Sequence, residues 1–167
     1  MAYNVVVMGV SGVGKTTVAR LLAERVGLPY AEADDFHPPA NIAKMSAGTP
    51  LDDADRQPWL EAIGAWLQQQ NVAGVGGVVT CSALKRRYRD TLRVACPDIW
   101  FLHLAGAHDL VADRIGHRTG HFMPASLLDS QYSTLEPLAA DEQGAVLDVG
   151  PTPDQLVDAA VRLLTAS

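Results

Sequence analysis

Eight residues near the start of the chain, Gly9-Val-Ser-Gly-Val-Gly-Lys15-Thr16, restrict its fold more than any other stretch. The spacing Gly-x-x-x-x-Gly-Lys-Thr lets backbone N–H groups curl around phosphate oxygens, while the next helix points its positive end at them. The residues expected to form this cradle are Gly9, Ser11, Gly12, Val13, Gly14, Lys15, Thr16 and Thr17. Lys15 then reaches the outer phosphates, and the Thr16 hydroxyl is the expected magnesium ligand. Such a loop works only between a buried strand and a helix, and the sequence supplies both. Tyr3–Met8 reads as an apolar strand covered on both faces and ends at Gly9. From Thr16 to Val26, Val18, Leu21, Leu22 and Val26 form one stripe, and Gly27 stands where a helix C-cap belongs.

Downstream, apolar β-rich runs alternate with helical patterns. Strands are expected at Leu28–Ala31, Val78–Cys81, Ile99–Leu104 and Ala145–Val149. Helices are expected at Asn41–Ala47, from an Asp52 cap to Gln69, and at Leu84–Ala95 behind a Ser82 cap. Three more follow, at Ala107–Gly116, at Ala125–Leu135 and after the Thr152-Pro153-Asp154-Gln155 capping box. Gly76-Gly77 reads as a break before the third strand. Strands separated by helices imply a parallel sheet with helices on both faces, an α/β fold. With no repeat or linker, the 167 residues are expected to form a single domain. Within it, a substrate-binding insertion is expected at roughly residues 35–70 and a mobile lid at roughly 116–124; the stretches expected to move, Asp35–Pro58 and about Gly116–Pro124, are both polar and punctuated by glycine or proline.

The charge balance limits the partners. Thirteen Lys+Arg against nineteen Asp+Glu give a formal net charge of −6, which argues against a general nucleic-acid or membrane-surface binder. No apolar run approaches a membrane span, and no secretory leader is visible, so a cytoplasmic location is expected. Cys81 and Cys96 lack metal-like or redox-like spacing and read as buried free thiols.

A phosphate loop alone does not define a reaction. The Asn-Lys-x-Asp of a GTPase is absent from the sequence, and Asp-x-x-Gly occurs only at Asp113–Gly116 and Asp141–Gly144, neither after an apolar strand. Val78-Val79-Thr80 leads into Cys81-Ser82 rather than a Walker-B acid, so magnesium is expected to lean on Thr16, phosphate oxygens and water. A phosphotransferase acting on a small molecule fits better than a motor or a switch.

Three further clusters bear on the acceptor. The second strand runs into Glu32-Ala33-Asp34-Asp35-Phe36-His37-Pro38, and in an open parallel sheet strand C-termini open onto the ligand crevice. Glu32 and Asp34 alternate, so they share a side. One carboxylate can hold magnesium-bound water and the other accept the acceptor's hydroxyl proton. His37 either orients a substrate hydroxyl or packs under the turn. Lys85, Arg86, Arg87, Arg89 and Arg93 form a basic focus, with Lys85 and Arg89 on one helix face, suited to a small carboxylate; Arg56 is a second candidate anion clamp. Finally, Arg114-x-x-x-Arg118-Thr-Gly-His121 places two arginines at a helix end leading into a glycine loop, which suits a lid that brings guanidinium groups to a phosphate.

Together these pieces resemble the bacterial-type gluconokinase family of small P-loop kinases. The matching residues are Met8-Gly-Val-Ser-Gly-x-Gly-Lys15, Asp34-x-x-His37-Pro38 and Asn41-Ile-x-Lys44-Met45. They continue as Gly48-x-Pro50-Leu51-x-Asp53-x-Asp55-Arg56-x-Pro58-Trp59-Leu60 and Cys81-Ser-Ala-Leu-Lys85-x-x-Tyr88-Arg89-Asp90, then Arg118-x-Gly120-His121-Phe122 and Gln131-x-x-x-Leu135-Glu136-Pro137. The resemblance implies a nucleoside-monophosphate-kinase-like fold with a five-stranded parallel sheet. It also implies ATP- and magnesium-dependent transfer to the 6-hydroxyl of D-gluconate, in a homodimer. Lys15, Asp34 and Arg118 would act in catalysis. Asp34, His37, Arg56, Lys85, Arg89 and His121 would line the sugar-acid site, with Lys85 and Arg89 on the carboxylate. Arg114 would lie near adenine and Arg118 near the phosphates. Glu32 stands where the family pattern has Asp followed by Gly, so its link to magnesium would run through water. The alternatives are a shikimate-kinase-like enzyme and a non-catalytic nucleotide-binding regulatory module.

Overall fold

The computed structural model describes residues 2–116 and 125–166. Five strands are present: β1 Tyr3–Met8, β2 Tyr30–Glu32, β3 Gly76–Thr80, β4 Ile99–Ala105 and β5 Gly144–Asp148. The helices are α1 Lys15–Val26, α2 Pro39–Ser46, α3 Asp53–Val72, α4 Arg86–Ala95, α5 His108–Gly116, α6 Ala125–Thr134 and α7 Pro153–Ala166. A 3-10 turn, Ala33–Phe36, follows β2.

The strands form one parallel sheet in the order β2-β3-β1-β4-β5. Side chains alternate across it, because successive residues of a strand point to opposite faces. Val5 and Val7 of β1 face α1 and α7, where Val18, Leu22, Val157 and Leu164 are buried. Val6 and Met8 face α3 and α4, where Leu60, Ile63, Leu67 and Leu92 are buried. The near-continuous apolar strands follow from this two-sided cover. From β1 the chain runs to one side of the sheet for β2 and β3, then crosses to the other side for β4. The C-terminal end of β1 therefore opens at the point where strand order reverses, the usual ligand crevice of an open α/β sheet.

Two local readings change. Gly76-Gly77 is the start of β3 rather than a break before it. Gly76 has φ +81, and a Cβ there would lie 2.2 Å from the Tyr3 carbonyl oxygen, so glycine is what lets β3 pair closely with β1. Ser82 does not cap α4. The helix begins at Arg86 behind an extended Lys85 without a side-chain cap, because Ala83 takes a left-handed bend (φ 45) first. Elsewhere β2 is displaced toward Glu32, and the Asp52 cap is completed by Asp55 as a reciprocal capping box. Among the described residues no helix is long and apolar enough to cross a membrane. Cys81 and Cys96 are buried free thiols.

Candidate functional site

Residues 9–14 join β1 to α1 as a tight loop. Gly12 has φ +86, and a Cβ there would press into Ile115 at 2.5 Å, so the loop packs on α5 only with glycine at this position. α1 starts behind Gly14, which has no side chain to cap the first-turn amides, so those amides are available to a ligand. Lys15 Nζ donates to the carbonyls of Gly9 at 2.9 Å and Val10 at 3.1 Å, which holds the ammonium over the loop.

The loop borders a cavity of about 780 Å³. Its other walls are Glu32 at the end of β2 with Asp34 beyond it, Thr80 at the end of β3 with Ser82 beyond it, Asp113 and Arg114 of α5, and Gln131 of α6. Arg114 Nη2 donates to the Val149 carbonyl at 2.6 Å, which pins this arginine to the end of β5.

The acidic wall is built in layers. The Thr80 hydroxyl donates to Glu32 Oε2 at 2.6 Å, the Tyr30 hydroxyl donates to Glu32 Oε1, and the Ala33 amide donates to Thr80 Oγ1 at 3.3 Å. Trp59 Nε1 donates to the Ala33 carbonyl at 2.7 Å and fixes the turn from below. Burial by itself raises the Glu32 carboxyl; hydrogen bonds from Thr80, Tyr30 and Thr16, with the Arg20 charge, override it and hold Glu32 below its ordinary value. Burial and the bond to Glu32 push the Tyr30 hydroxyl up to about 12. Glu32 is thus an anion beside the Thr16 hydroxyl. Strand alternation is not what brings Glu32 and Asp34 to one side, since the chain turns into the 3-10 geometry at Ala33; the turn itself carries both to the cavity.

A second cavity of about 320 Å³ adjoins the first, and Trp59, Ser82 and Gln131 line both. His37, Arg56, Lys85 and Tyr88 contribute its polar wall. The His37 ring stacks on Trp59 with centroids 4.5 Å apart and planes 9° from parallel, and its Nδ1 lies 3.3 Å from Asn41 Nδ2. Burial lowers the His37 pKa, with the Arg56 charge adding to it and Asp34 opposing, so the ring is neutral near pH 7. Asp53 gathers the cations of this wall. Its carboxylate lies 3.6 Å from Lys85 Nζ, 3.9 Å from Arg56 Nη1 and 2.9 Å from Arg87 Nη1, and it accepts from the Tyr88 hydroxyl at 2.5 Å. The Tyr88 bond is the largest influence holding the Asp53 carboxyl down.

The structure separates Arg89 from Lys85. The bend at Ala83 puts Lys85 outside the helix, so the expected shared face does not form. Arg89 is fully buried: Nε donates to Glu142 Oε2 at 2.7 Å, Nη2 to Glu142 Oε1 at 3.0 Å, and Nη1 to the Ala83 carbonyl at 2.8 Å. Its guanidinium faces the interior instead of the cavity. Arg118 and His121 lie outside the described residues. Of the other expected residues, Ser11 through Thr17, Glu32, Asp34 and Arg114 line the larger cavity and His37, Arg56 and Lys85 the smaller one, while Gly9 lines neither.

Sequence reasoning passed over Thr80, Trp59 and Gln131 as site residues. Thr80 occupies the strand end where a Walker-B acid would stand, and a hydroxyl there is a usable signal. Trp59 read as core stripe, and its indole N–H gave no hint of its partner. Gln131 carried no signal of its own beyond its place in a shared motif.

The shikimate kinase family model matches residues 11–145 of the chain. A gluconokinase from Gluconobacter oxydans is 52% identical over 157 residues, which cover 94% of this chain and 88% of that protein. Among solved structures, an unliganded sugar kinase from Janibacter superposes with a TM-score of 0.90 at 52% identity, covering 99% of this chain and 95% of that one. A gluconokinase from Sinorhizobium meliloti superposes with a TM-score of 0.88 at 46% identity, covering 98% and 92%.

Proposed function

The chain belongs to the gluconokinase family of P-loop kinases and is an ATP-dependent gluconate kinase; we propose that the phosphoryl group goes to the 6-hydroxyl, giving 6-phospho-D-gluconate and ADP. The observation that carries this reading is the junction of two cavities. The larger holds the phosphate loop, the smaller holds Lys85, Arg56 and His37, and they meet at Trp59, Ser82 and Gln131. ATP takes the larger cavity, with its adenine toward Arg114. The sugar acid takes the smaller, with its carboxylate toward Lys85 and Arg56 and its hydroxyls toward neutral His37.

Phosphoryl transfer needs alignment and neutralisation of charge more than covalent help. Asp34, on the acidic wall of the larger cavity, orients the attacking hydroxyl and accepts its proton. Lys15 offsets charge on the outer phosphates. Arg118 and His121, outside the described residues, complete the phosphate and sugar contacts in this proposal.

The residues present fit a magnesium ion. Thr16 and Glu32 offer hard oxygen donors, and Glu32 is kept ionised by the donors around it. Magnesium is commonly held by one or two protein oxygens together with substrate phosphates and water. The Thr16 hydroxyl would bind it directly and Glu32 through water; when bound, the ion neutralises phosphate charge. A homodimeric assembly is part of the proposal and is checked by light scattering in solution.

A coupled ADP-release assay over gluconate, its stereoisomers, shikimate and nucleoside monophosphates tests the whole reading. Gluconate is expected to be the preferred acceptor. Preference for shikimate would reassign the acceptor, and nucleotide binding without acceptor-stimulated ADP release would leave a binding module.

A further inference from the structure

Gln131 opens the Gln-x-x-x-Leu-Glu-Pro stretch and has no part in the reaction as set out above. It projects from α6 onto the phosphate loop, 120 positions away in sequence. Its Oε1 accepts from the Ser11 amide at 2.7 Å, and its Nε2 donates to Ser11 Oγ at 3.1 Å. A backbone amide can only donate, so the oxygen end of the carboxamide must face Ser11 N and the nitrogen end is assigned with it. Two bonds from one planar group fix its rotation. One Nε2 hydrogen then stays unbonded among the described residues.

Position gives that hydrogen its meaning. Among the described residues only three line both cavities, and the Trp59 indole N–H is already spent on the Ala33 carbonyl. Gln131 is therefore a fixed, uncharged donor at the seam that the phosphoryl group must cross. We propose that Gln131 is a catalytic residue whose free Nε2 hydrogen donates to an oxygen of the phosphoryl group in transit, with Ser11 holding it in place. In the step it serves, the bond from the acceptor hydroxyl oxygen to the γ-phosphorus forms and the bond to the β,γ-bridging oxygen breaks. ADP departs with that electron pair, and the hydroxyl proton goes to Asp34. A carboxamide does not titrate in the working range, so Gln131 stabilises charge without competing for the proton.

The inference rests on the kinase reading above, and the Gln131→Ala and Gln131→Glu enzymes test it. Both are characterised by kcat, gluconate KM, ADP affinity by calorimetry and thermal midpoint. Gln131→Ala is expected to lose ~10²-fold in kcat, the usual effect of removing one preorganised donor, while ADP affinity and gluconate KM stay within ~3-fold. The Gln131→Glu enzyme keeps an acceptor for the Ser11 amide but loses the donor and adds a negative charge, so its kcat is expected to fall further than that of the alanine enzyme. A near-wild-type kcat for Gln131→Glu would overturn the proposal. So would a loss of ADP affinity in Gln131→Ala that matches the loss of kcat, because either result assigns Gln131 to holding the loop. If the wild-type enzyme turns over a different acceptor and not gluconate, the substrate assignment fails alone, and the same comparison is read with that acceptor.

Discussion

Arg89 and Glu142, 53 positions apart in sequence, form a two-point ion pair sealed from solvent, with side chains 0% and 1% exposed. Arg93 adds a third contact to Glu142 at 3.0 Å. Through Nη1, Arg89 also grips the carbonyl of Ala83, the residue with the left-handed bend. The stretch between Glu136 and Glu142 supports the same bend from the other side, since the Glu136 amide donates to the Leu84 carbonyl at 2.7 Å and its carboxylate accepts from the Arg86 amide at 3.0 Å. The basic focus on α4 is thus largely a clamp that sets where Ser82 and Lys85 stand.

Removing one partner of this pair leaves the other buried and uncompensated. Arg89→Ala and Glu142→Ala are each expected to destabilise the fold by ~3–5 kcal/mol, and the paired change Arg89→Met with Glu142→Leu by less than either. Urea denaturation measures all three. A single variant as stable as the parent would contradict the clamp.

The same pair sets an acid limit. Burial by itself raises the Glu142 carboxyl, but hydrogen bonds from Arg89 and the Ala139 amide, with the Arg89 charge, hold it at about 2. A carboxyl lowered in the folded state contributes stability that is fully present above its unfolded value of ~4.3 and is lost as pH falls through the folded value. Stability is therefore expected to decline from about pH 5 toward 2, with a shallower decline in Glu142→Gln. An identical acid profile for that variant would remove Glu142 as a cause.

Lys15→Ala and Asp34→Ala are expected to lower kcat by ~10²-fold or more, through lost charge stabilisation and lost proton acceptance respectively. Steady-state ADP release reads both. Near-wild-type turnover in either variant would take that residue out of the mechanism.

Lys85→Ala and Arg56→Ala are expected to raise the gluconate KM by ~10-fold or more with a smaller change in kcat, because a charge-assisted contact to the carboxylate contributes about 1.5–3 kcal/mol. The ATP KM should hardly move. An unchanged gluconate KM in both would place the carboxylate elsewhere.

Glu32→Gln is expected to raise the magnesium concentration needed for half-maximal rate by roughly 10-fold, in the range seen when an outer-shell partner of a metal is lost. ADP binding measured without magnesium should be unaffected. A magnesium titration that superposes on the parent's would assign Glu32 to supporting Thr80 and Tyr30 alone.

Elements with local causes are legible in the chain before it folds. The strand, glycine loop and helix around Lys15, the alternation of buried strands with helices, and the reciprocal caps at Asp52 with Asp55 and Thr152 with Gln155 all depend on residues a few positions apart. What each charged or polar side chain meets depends on the packing of distant elements. Arg89 looked like a partner of Lys85 until Glu142 and the bend at Ala83 drew it inside. Thr80 gained its role from Glu32, 48 positions away, and Gln131 its place from Ser11. Backbone periodicity and turn chemistry are written in neighbouring residues, whereas the environment of a side chain is set by elements that only folding brings together.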